Sequence, residues 1–449
     1  AIMGRVPRTS AESRWGPDTA TAWTAVVGIA FCWVALKLMS VWAWVVLPGE
    51  YGDTYYYFLG AQEAFAAGNG VRDAFTEYPT PAGALLLLPY ALGYDDYESY
   101  RTVTVALTST ADAAFALLLG RRTGPAGVLA WLAVTTIAGQ VALLRLDLLA
   151  AAAAGAAVLY ALAGRSRTAS VLVAVGTGLK LWPLVLAPLT LLAERGRRGL
   201  AIAWFVGTGA LLVAGSLVAG GWDRLLSPLD YQTDRGLQIE SVPATLPMHE
   251  WAARDGYRVW YSAFHAFEVE GPTVAAWLDV GRIAGVVALL GCLVLVGRWV
   301  WNGCDRGALG YLALTFVAAF IVTSRALSPQ YLLWLAAPAV AVFASAWAGR
   351  PDDPGTSPPT VRDRVLAAVT LLAVLALTLL TTAIYPVFYG GLTGINAVTP
   401  RALALLAARN LGLLALVVWT AVVAWISSAP QARHGADERL RAGERFSSA

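Results

Sequence analysis

The run ASVLVAVGTGLKLWPLVLAPLTLLA, residues 169–193, decides the fold. Its length and apolarity fit one long membrane span, but Lys180-Leu181-Trp182-Pro183 in its middle favours two short helices that turn at an outer surface. The difference is one membrane crossing, which sets the side of everything downstream. Cytoplasmic loops carry an excess of Lys and Arg. With two helices here, Arg121-Arg122, Arg165/Arg167, Arg195/Arg197/Arg198, Arg298/Arg306, Arg350/Arg362/Arg364 and the Arg-rich end of the chain all fall inside. One helix would export half of them.

Outward from that run, the chain reads as an all-α polytopic membrane helix bundle. Of 449 residues 58% are hydrophobic and only 14% charged, with mean hydropathy +0.60; a soluble domain carries about 25% charged residues. Residues 1–21 are expected to be a basic cytoplasmic tail, residues 22–427 the membrane domain and residues 428–449 a second cytoplasmic tail. The first span is placed at Ala22 to Leu47, too long for a signal-peptide core. Further apolar runs lie near 102–119, 125–144, 146–163, 200–220, 276–300, 308–323, 329–348, 365–386 and 402–426. The 82–92 piece is too short to span and is read as re-entrant or interfacial. The total is about twelve spans with outer loops at 48–101 and 221–275. PDDPGTSPP, residues 351–359, is a cytoplasmic linker.

Composition also excludes some functions. A net charge of +3 with dispersed basic residues argues against nucleic acid. Cys32, Cys292 and Cys304, with His249, His265 and His434, show no metal-ligand spacing, so no zinc site or disulfide framework is expected. Lysine occurs only at Lys37 and Lys180, both in apolar runs, where each needs a partner or a purpose. Lys37 and Asp112 lie deep in their spans, at heights expected to differ by more than a comfortable contact, with pairing left open and neither counted in the site.

The ionisable residues at outer boundaries are Asp53, Arg101, Arg145, Asp147, Lys180 and Arg325. Such a set can hold a phosphate and take a proton from a hydroxyl in one pocket. Asp53 opens the stretch YGDTYYYFLGAQEAFAAGNGVRDAFTEYPTP, residues 51–81, where it can cap the helix that follows, act as a base, or do both. Glu63 and Glu77 are lesser candidates for the base and read first as solvated or paired. Arg145-Leu146-Asp147 reads as an ion pair across a turn, or as part of the site. In the long loop, Arg235, Gln238, Glu240 and Ser241 match polyhydroxylated ligands, and Tyr257, Trp260 and Tyr261 offer rings to sugars or to the interface. Ser324-Arg325 and Gln330-Tyr331 make another polar corner.

Together these residues resemble the GT-C superfamily of polyprenyl-phosphate-sugar-dependent glycosyltransferases, and more narrowly the actinobacterial glycosyltransferase family 87. The resemblance is carried by Asp53 with Tyr56, by Tyr78-Pro79-Thr80-Pro81 (where Tyr-Pro-Pro is usual), and by Gly178-Leu179-Lys180-Leu181-Trp182-Pro183. It continues through Arg235-Gly236-Leu237-Gln238-Ile239-Glu240-Ser241 and Leu327-Ser328-Pro329-Gln330-Tyr331-Leu332-Leu333-Trp334. It implies inverting transfer from a polyprenyl-phosphate-linked sugar donor to a lipid-anchored or glycan acceptor of the cell envelope, in contact with membrane lipids, with Asp53 as general base, no required metal and no cofactor. The expected donor-phosphate ligands are Lys180, Arg325, Arg101 and Arg145. The expected sugar and acceptor contacts are Tyr56, Tyr78, Arg235, Gln238, Glu240, Gln330 and Tyr331. Mannose is the expected sugar, with arabinofuranose as the alternative. The enzyme would sit in the plasma membrane, both termini cytoplasmic, with its site on the outer, periplasmic face. A lipid-linked sugar flippase, the rival from another class, would line a central path with charge and often show internal repeats. A noncatalytic assembly partner would tolerate loss of Asp53.

Overall fold

A computed structural model describes residues 28, 30–40, 52–348, 358–394 and 398–428. The expected tail at 1–21, most of the tail at 428–449, linker residues 351–357 and residues 22–27, 29 and 41–47 of the expected first span lie outside the described residues.

The helices in chain order are α1 (Ala30–Ser40), α2 (Gly52–Ala67), α3 (Thr80–Ala91), α4 (Tyr97–Thr123), α5 (Pro125–Ala138), α6 (Gln140–Leu143), α7 (Asp147–Leu162) and α8 (Ser166–Leu179). They continue with α9 (Ala187–Leu192), α10 (Arg198–Asp234), α11 (Thr245–Ala253), α12 (Val274–Trp301), α13 (Arg306–Thr323), α14 (Tyr331–Ala348), α15 (Val361–Thr382), α16 (Gly390–Thr393) and α17 (Pro400–Ser427). Seven helices among the described residues are long and apolar enough to cross a membrane, and five shorter apolar ones accompany them.

The deciding run folds as two pieces. Helix α8 ends at Leu179, Lys180 is extended (φ −157°, ψ 143°), and Trp182–Leu186 forms a 3-10 turn that leads into α9. The returning segment packs back on α8, with Pro183 against Gly176. Helix α3 has 12 residues, about 18 Å at 1.5 Å per residue, against an apolar bilayer core of about 30 Å.

The centre of the bundle is α7, α13 and α14, nearly all of whose side chains are buried. Helix α7 packs closely on α14 because its face is alanine and glycine: a Cβ on Gly155 would lie 2.8 Å from that of Ala337. Helices α10 and α12 are the opposite, with exposed apolar side chains such as Leu211, Val218, Ile283 and Val287. An apolar helix with so bare a surface is solvated by lipid. Helix α10 breaks at Gly220–Gly221, where Gly221 takes φ +72°, so its last third leaves the bundle line.

The stretch expected as a plain outer loop, 221–275, is folded. Beyond the end of α10, strands β1 (Leu237–Gln238), β2 (Arg258–Tyr261) and β3 (Phe267–Glu270) form an antiparallel sheet in the order β1-β3-β2, with α11 beside it. The all-α bundle therefore carries a small sheet. Glu240 anchors it: its carboxylate lies 3.0 Å from Arg409 of α17, both side chains fully buried.

Lys37 and Asp112 correct the expectation from helix heights. Lys37 Nζ lies 3.2 Å from Asp112 Oδ2 and donates to Thr135 Oγ1 at 2.8 Å, while the indoles of Trp33 and Trp131 donate to the two oxygens of Asp112. This network ties α1 to α4 and α5. Breaking a buried pair from one side costs about 3–5 kcal/mol because a charge is left without its counterpart. Lys37→Met should lower the thermal stability of the detergent-solubilised chain by that order, and Lys37→Met/Asp112→Asn should recover more than half of the loss. A double variant no more stable than the single would contradict the pairing.

Candidate active site

Helix α2 presents Asp53 in its first turn, where the positive end of the helix dipole favours a carboxylate. Tyr56 follows three residues later on the same face. The chain then returns along α2: Tyr56 Oη donates to Glu77 Oε1 at 2.7 Å, and the Tyr57 and Tyr78 hydroxyls meet at 2.9 Å. Pro79 ends the return and Pro81 starts α3, so the corner holds Glu77 and Tyr78 against α2. Arg224, just past the kink in α10, locks the return from outside. Its Nε donates to Val71 O at 2.9 Å and its NH1 to Tyr78 O at 3.1 Å.

The opposite wall is cationic. Arg145, buried between α6 and α7, lies 3.4 Å from Asp53 Oδ1, donates to Gln330 Oε1, and sits over the Tyr385 ring at 5.4 Å. Lys180 reaches Asp147 at 2.9 Å, and Asp147 also accepts from Trp334 Nε1 at 2.8 Å. The ammonium stands 5.1 Å from the Tyr78 ring centre and 5.7 Å from that of Trp334. The ion pair considered across the Arg145–Asp147 turn is replaced by two pairs to other segments. A helix break in mid-run is what lets the lysine reach this depth.

The sheet closes the third side. Gln238 of β1 donates to Ser328 Oγ at 3.2 Å while its own Oε1, buried, has no protein partner. The same holds for Nε of Arg235. The turn between β2 and β3 adds Tyr261, Phe264, His265 and Phe267, and the segment after α15 adds Tyr385 and Tyr389. These walls enclose a cavity of about 680 Å³, inside the range of roughly 300–1,000 Å³ usual for small-molecule sites.

Of the residues expected from sequence, Asp53, Arg145, Lys180, Tyr56, Tyr78, Arg235, Gln238, Gln330 and Tyr331 line this cavity. Three lie elsewhere. Arg101 pairs with Glu98 and covers Tyr97. Arg325 donates to the carbonyls of Thr233 and Arg235, at 2.9 and 2.8 Å, and so fixes the end of α10. Glu240 is consumed by Arg409; burial raises its carboxyl and the guanidinium opposes the rise. Tyr257 donates to Glu250 and lies outside the lining as well. Conversely Glu77, read as solvated or paired, lines the cavity, and burial raises its carboxyl against the pull of the Tyr56 hydroxyl. Among the described residues no group of three or more His, Cys, Asp or Glu side chains stands together for a metal.

Apolar helices around a cavity lined with cations, carboxylates and aromatic rings define a membrane protein with a polar pocket. The sequence profile of glycosyltransferase family 87 matches residues 75–329, more than half of the chain. The chain belongs to that family and is a membrane enzyme that transfers sugars. A search of curated proteins found no match. The matched region contains Glu77, Tyr78, Arg145, Lys180, Arg235 and Gln238; Asp53 and Tyr56 precede it, and Gln330 and Tyr331 follow it.

Arg224→Lys keeps the charge but cannot span both carbonyls. Hydrogen bonds from a charged donor contribute about 1.5–3 kcal/mol each, so amides of residues 72–78 should exchange with deuterium at least about tenfold faster. Unchanged exchange there would remove Arg224 as the lock.

Proposed function

We propose that this enzyme transfers mannose, with inversion, from a polyprenyl-phosphate donor to a glycolipid or glycan acceptor of the cell envelope. The observation that carries the reading is a carboxylate, Asp53, beside Arg145 in the wall of a cavity that Lys180 also lines. In the proposed step the acceptor hydroxyl oxygen bonds to the anomeric carbon while that carbon's bond to the phosphate oxygen breaks. The hydroxyl proton passes to Asp53, and the electron pair of the broken bond leaves on polyprenyl phosphate. The charge gained by that phosphate falls beside Arg145 and Lys180, the placement that lowers a barrier by electrostatic stabilisation. Arg235, Gln238, Gln330, Tyr331 and Tyr78 are the proposed sugar and acceptor contacts, and Tyr56, whose hydroxyl is given to Glu77, stands behind them. No metal or cofactor enters this scheme.

The arginine clusters support an orientation with both termini in the cytoplasm, about twelve spans between residues 22 and 427, and the cavity on the outer face of the plasma membrane. A polyprenyl-linked donor is consistent with the lipid-solvated helices α10 and α12.

General-base catalysis contributes about 10²–10⁴-fold. Asp53→Asn should therefore reduce transfer of labelled sugar from polyprenyl-phosphate mannose, assayed in membranes at equal expression, by at least about 100-fold. Wild-type turnover in that variant would remove Asp53 as the base, and transfer from polyprenyl-phosphate arabinofuranose alone would correct the sugar. Lys180→Met removes a charge-assisted phosphate contact. It should raise the donor KM roughly ten- to hundredfold with a smaller change in acceptor KM; an unchanged donor KM would move the phosphate site to Arg235.

A further inference from the structure

The scheme above leaves one cavity carboxylate without a task. Glu77 lines the pocket and accepts from Tyr56 at 2.7 Å, which occupies one of the roughly four lone-pair sites of a carboxylate. Tyr56 is fixed from two sides. Phe75 meets it edge to face at 6.1 Å, and the His265 ring lies 4.4 Å away. His265 sits at the tip of the β2–β3 hairpin in the left-handed region, φ +52°. A hydrogen bond from its amide to Ser262 O and one from Ser262 N to Ala266 O hold that turn. A non-glycine residue held in that conformation next to a cavity points to a positioned side chain.

The position of Glu77 indicates what it can read. Its chain neighbour Tyr78 carries Lys180 over its ring, 5.1 Å from the centre. Lys180 is the cation assigned to the donor phosphate, and the transferred sugar hangs directly from that phosphate. On the other side Asp53 and Tyr56 stand one helical turn apart on α2. A sugar whose anomeric carbon lies between Asp53 and Lys180 shares one cavity with Glu77, Tyr56 and His265, so at least one of its hydroxyls can meet Glu77. A pocket that hydrogen-bonds a hydroxyl rejects the analogue lacking it far more strongly than an apolar pocket distinguishes shapes.

We propose that Glu77, oriented by Tyr56 and backed by His265, is a specificity-determining residue that reads one hydroxyl of the donor's sugar. This rests on the proposed transferase reading and adds a role to a residue outside its bond-making group. Glu77 accepts the sugar's O–H at its carboxylate, and Tyr56 is the positioning residue that acts through it.

The test uses the full chain in membranes with polyprenyl-phosphate mannose and its monodeoxy analogues, and in parallel polyprenyl-phosphate arabinofuranose with its own. The wild-type enzyme should discriminate against the analogue lacking one particular hydroxyl by about tenfold or more in kcat/KM. In Glu77→Gln, whose amide oxygen accepts without the charge, that ratio should fall severalfold while the ratios at the other positions stay put. Tyr56→Phe, which removes only the orienting hydroxyl and keeps the ring, should lower the ratio at the same position and carries the test if Glu77→Gln fails to fold. Unchanged ratios at every position would overturn the proposal. So would a folded Glu77→Gln variant with no turnover on any donor, which would put Glu77 in the bond-making step. A wild-type chain inactive with both donor series would defeat the transferase reading, and this proposal with it.

Discussion

A charge inside an apolar bundle must meet an opposite charge, and this fold is arranged around one such requirement. The ammonium of Lys180, halfway along an apolar run, ends against Asp147, which is itself held by the indole of Trp334. Meeting Asp147 requires the helix to stop at Leu179 and the chain to turn back through Trp182 and Pro183. That turn stacks Trp182 on Trp334 at 5.0 Å and brings α8, α14 and the start of α7 to one level. The cavity floor is the consequence.

The same rule recurs at three other places. Asp53 with Arg145, Glu240 with Arg409, and Lys37 with Asp112 each join segments far apart in the chain. Such pairs are weak as net stabilisers, since desolvation offsets much of the attraction, but strong as constraints, since losing one partner is costly. Two of the four, Lys180–Asp147 and Arg145–Asp53, border the cavity. The other two secure elements around it: α1 at the first span, and the small sheet against α17. Structure and proposed chemistry share the same ion pairs.

Much of this was legible in the sequence. Apolar run length and the Lys180–Pro183 interruption located the helices and the break, because both depend on local composition. Depth alone brought Asp53, Arg145 and Lys180 to one boundary, since residues near helix ends at the same face lie at similar heights. Depth does not give direction, so Arg101 and Arg325 shared that boundary yet serve Glu98 and backbone carbonyls. Glu240 left the expected site for a similar reason: the partner that consumes it is Arg409, far along the chain on α17, whereas Glu77 is paired as expected, with Tyr56, and lines the cavity as well. The Lys37–Asp112 pair escaped a height argument that takes helices as straight, parallel and unstaggered. The sheet in 221–275 left no periodic signal, as its strands are two to four residues long.

The central claim is that the Lys180 turn and Arg145 form the seat of the donor phosphate beside Asp53. The most direct measurement is a cryo-electron microscopy structure of the full chain in lipid nanodiscs with a polyprenyl phosphonate C-glycoside of mannose. The account predicts phosphonate oxygens within hydrogen-bond reach of Lys180 or Arg145, with the anomeric carbon facing Asp53. A phosphonate bound at Arg101 or Arg325, with the cavity between α2 and the sheet left without ligand, would contradict it.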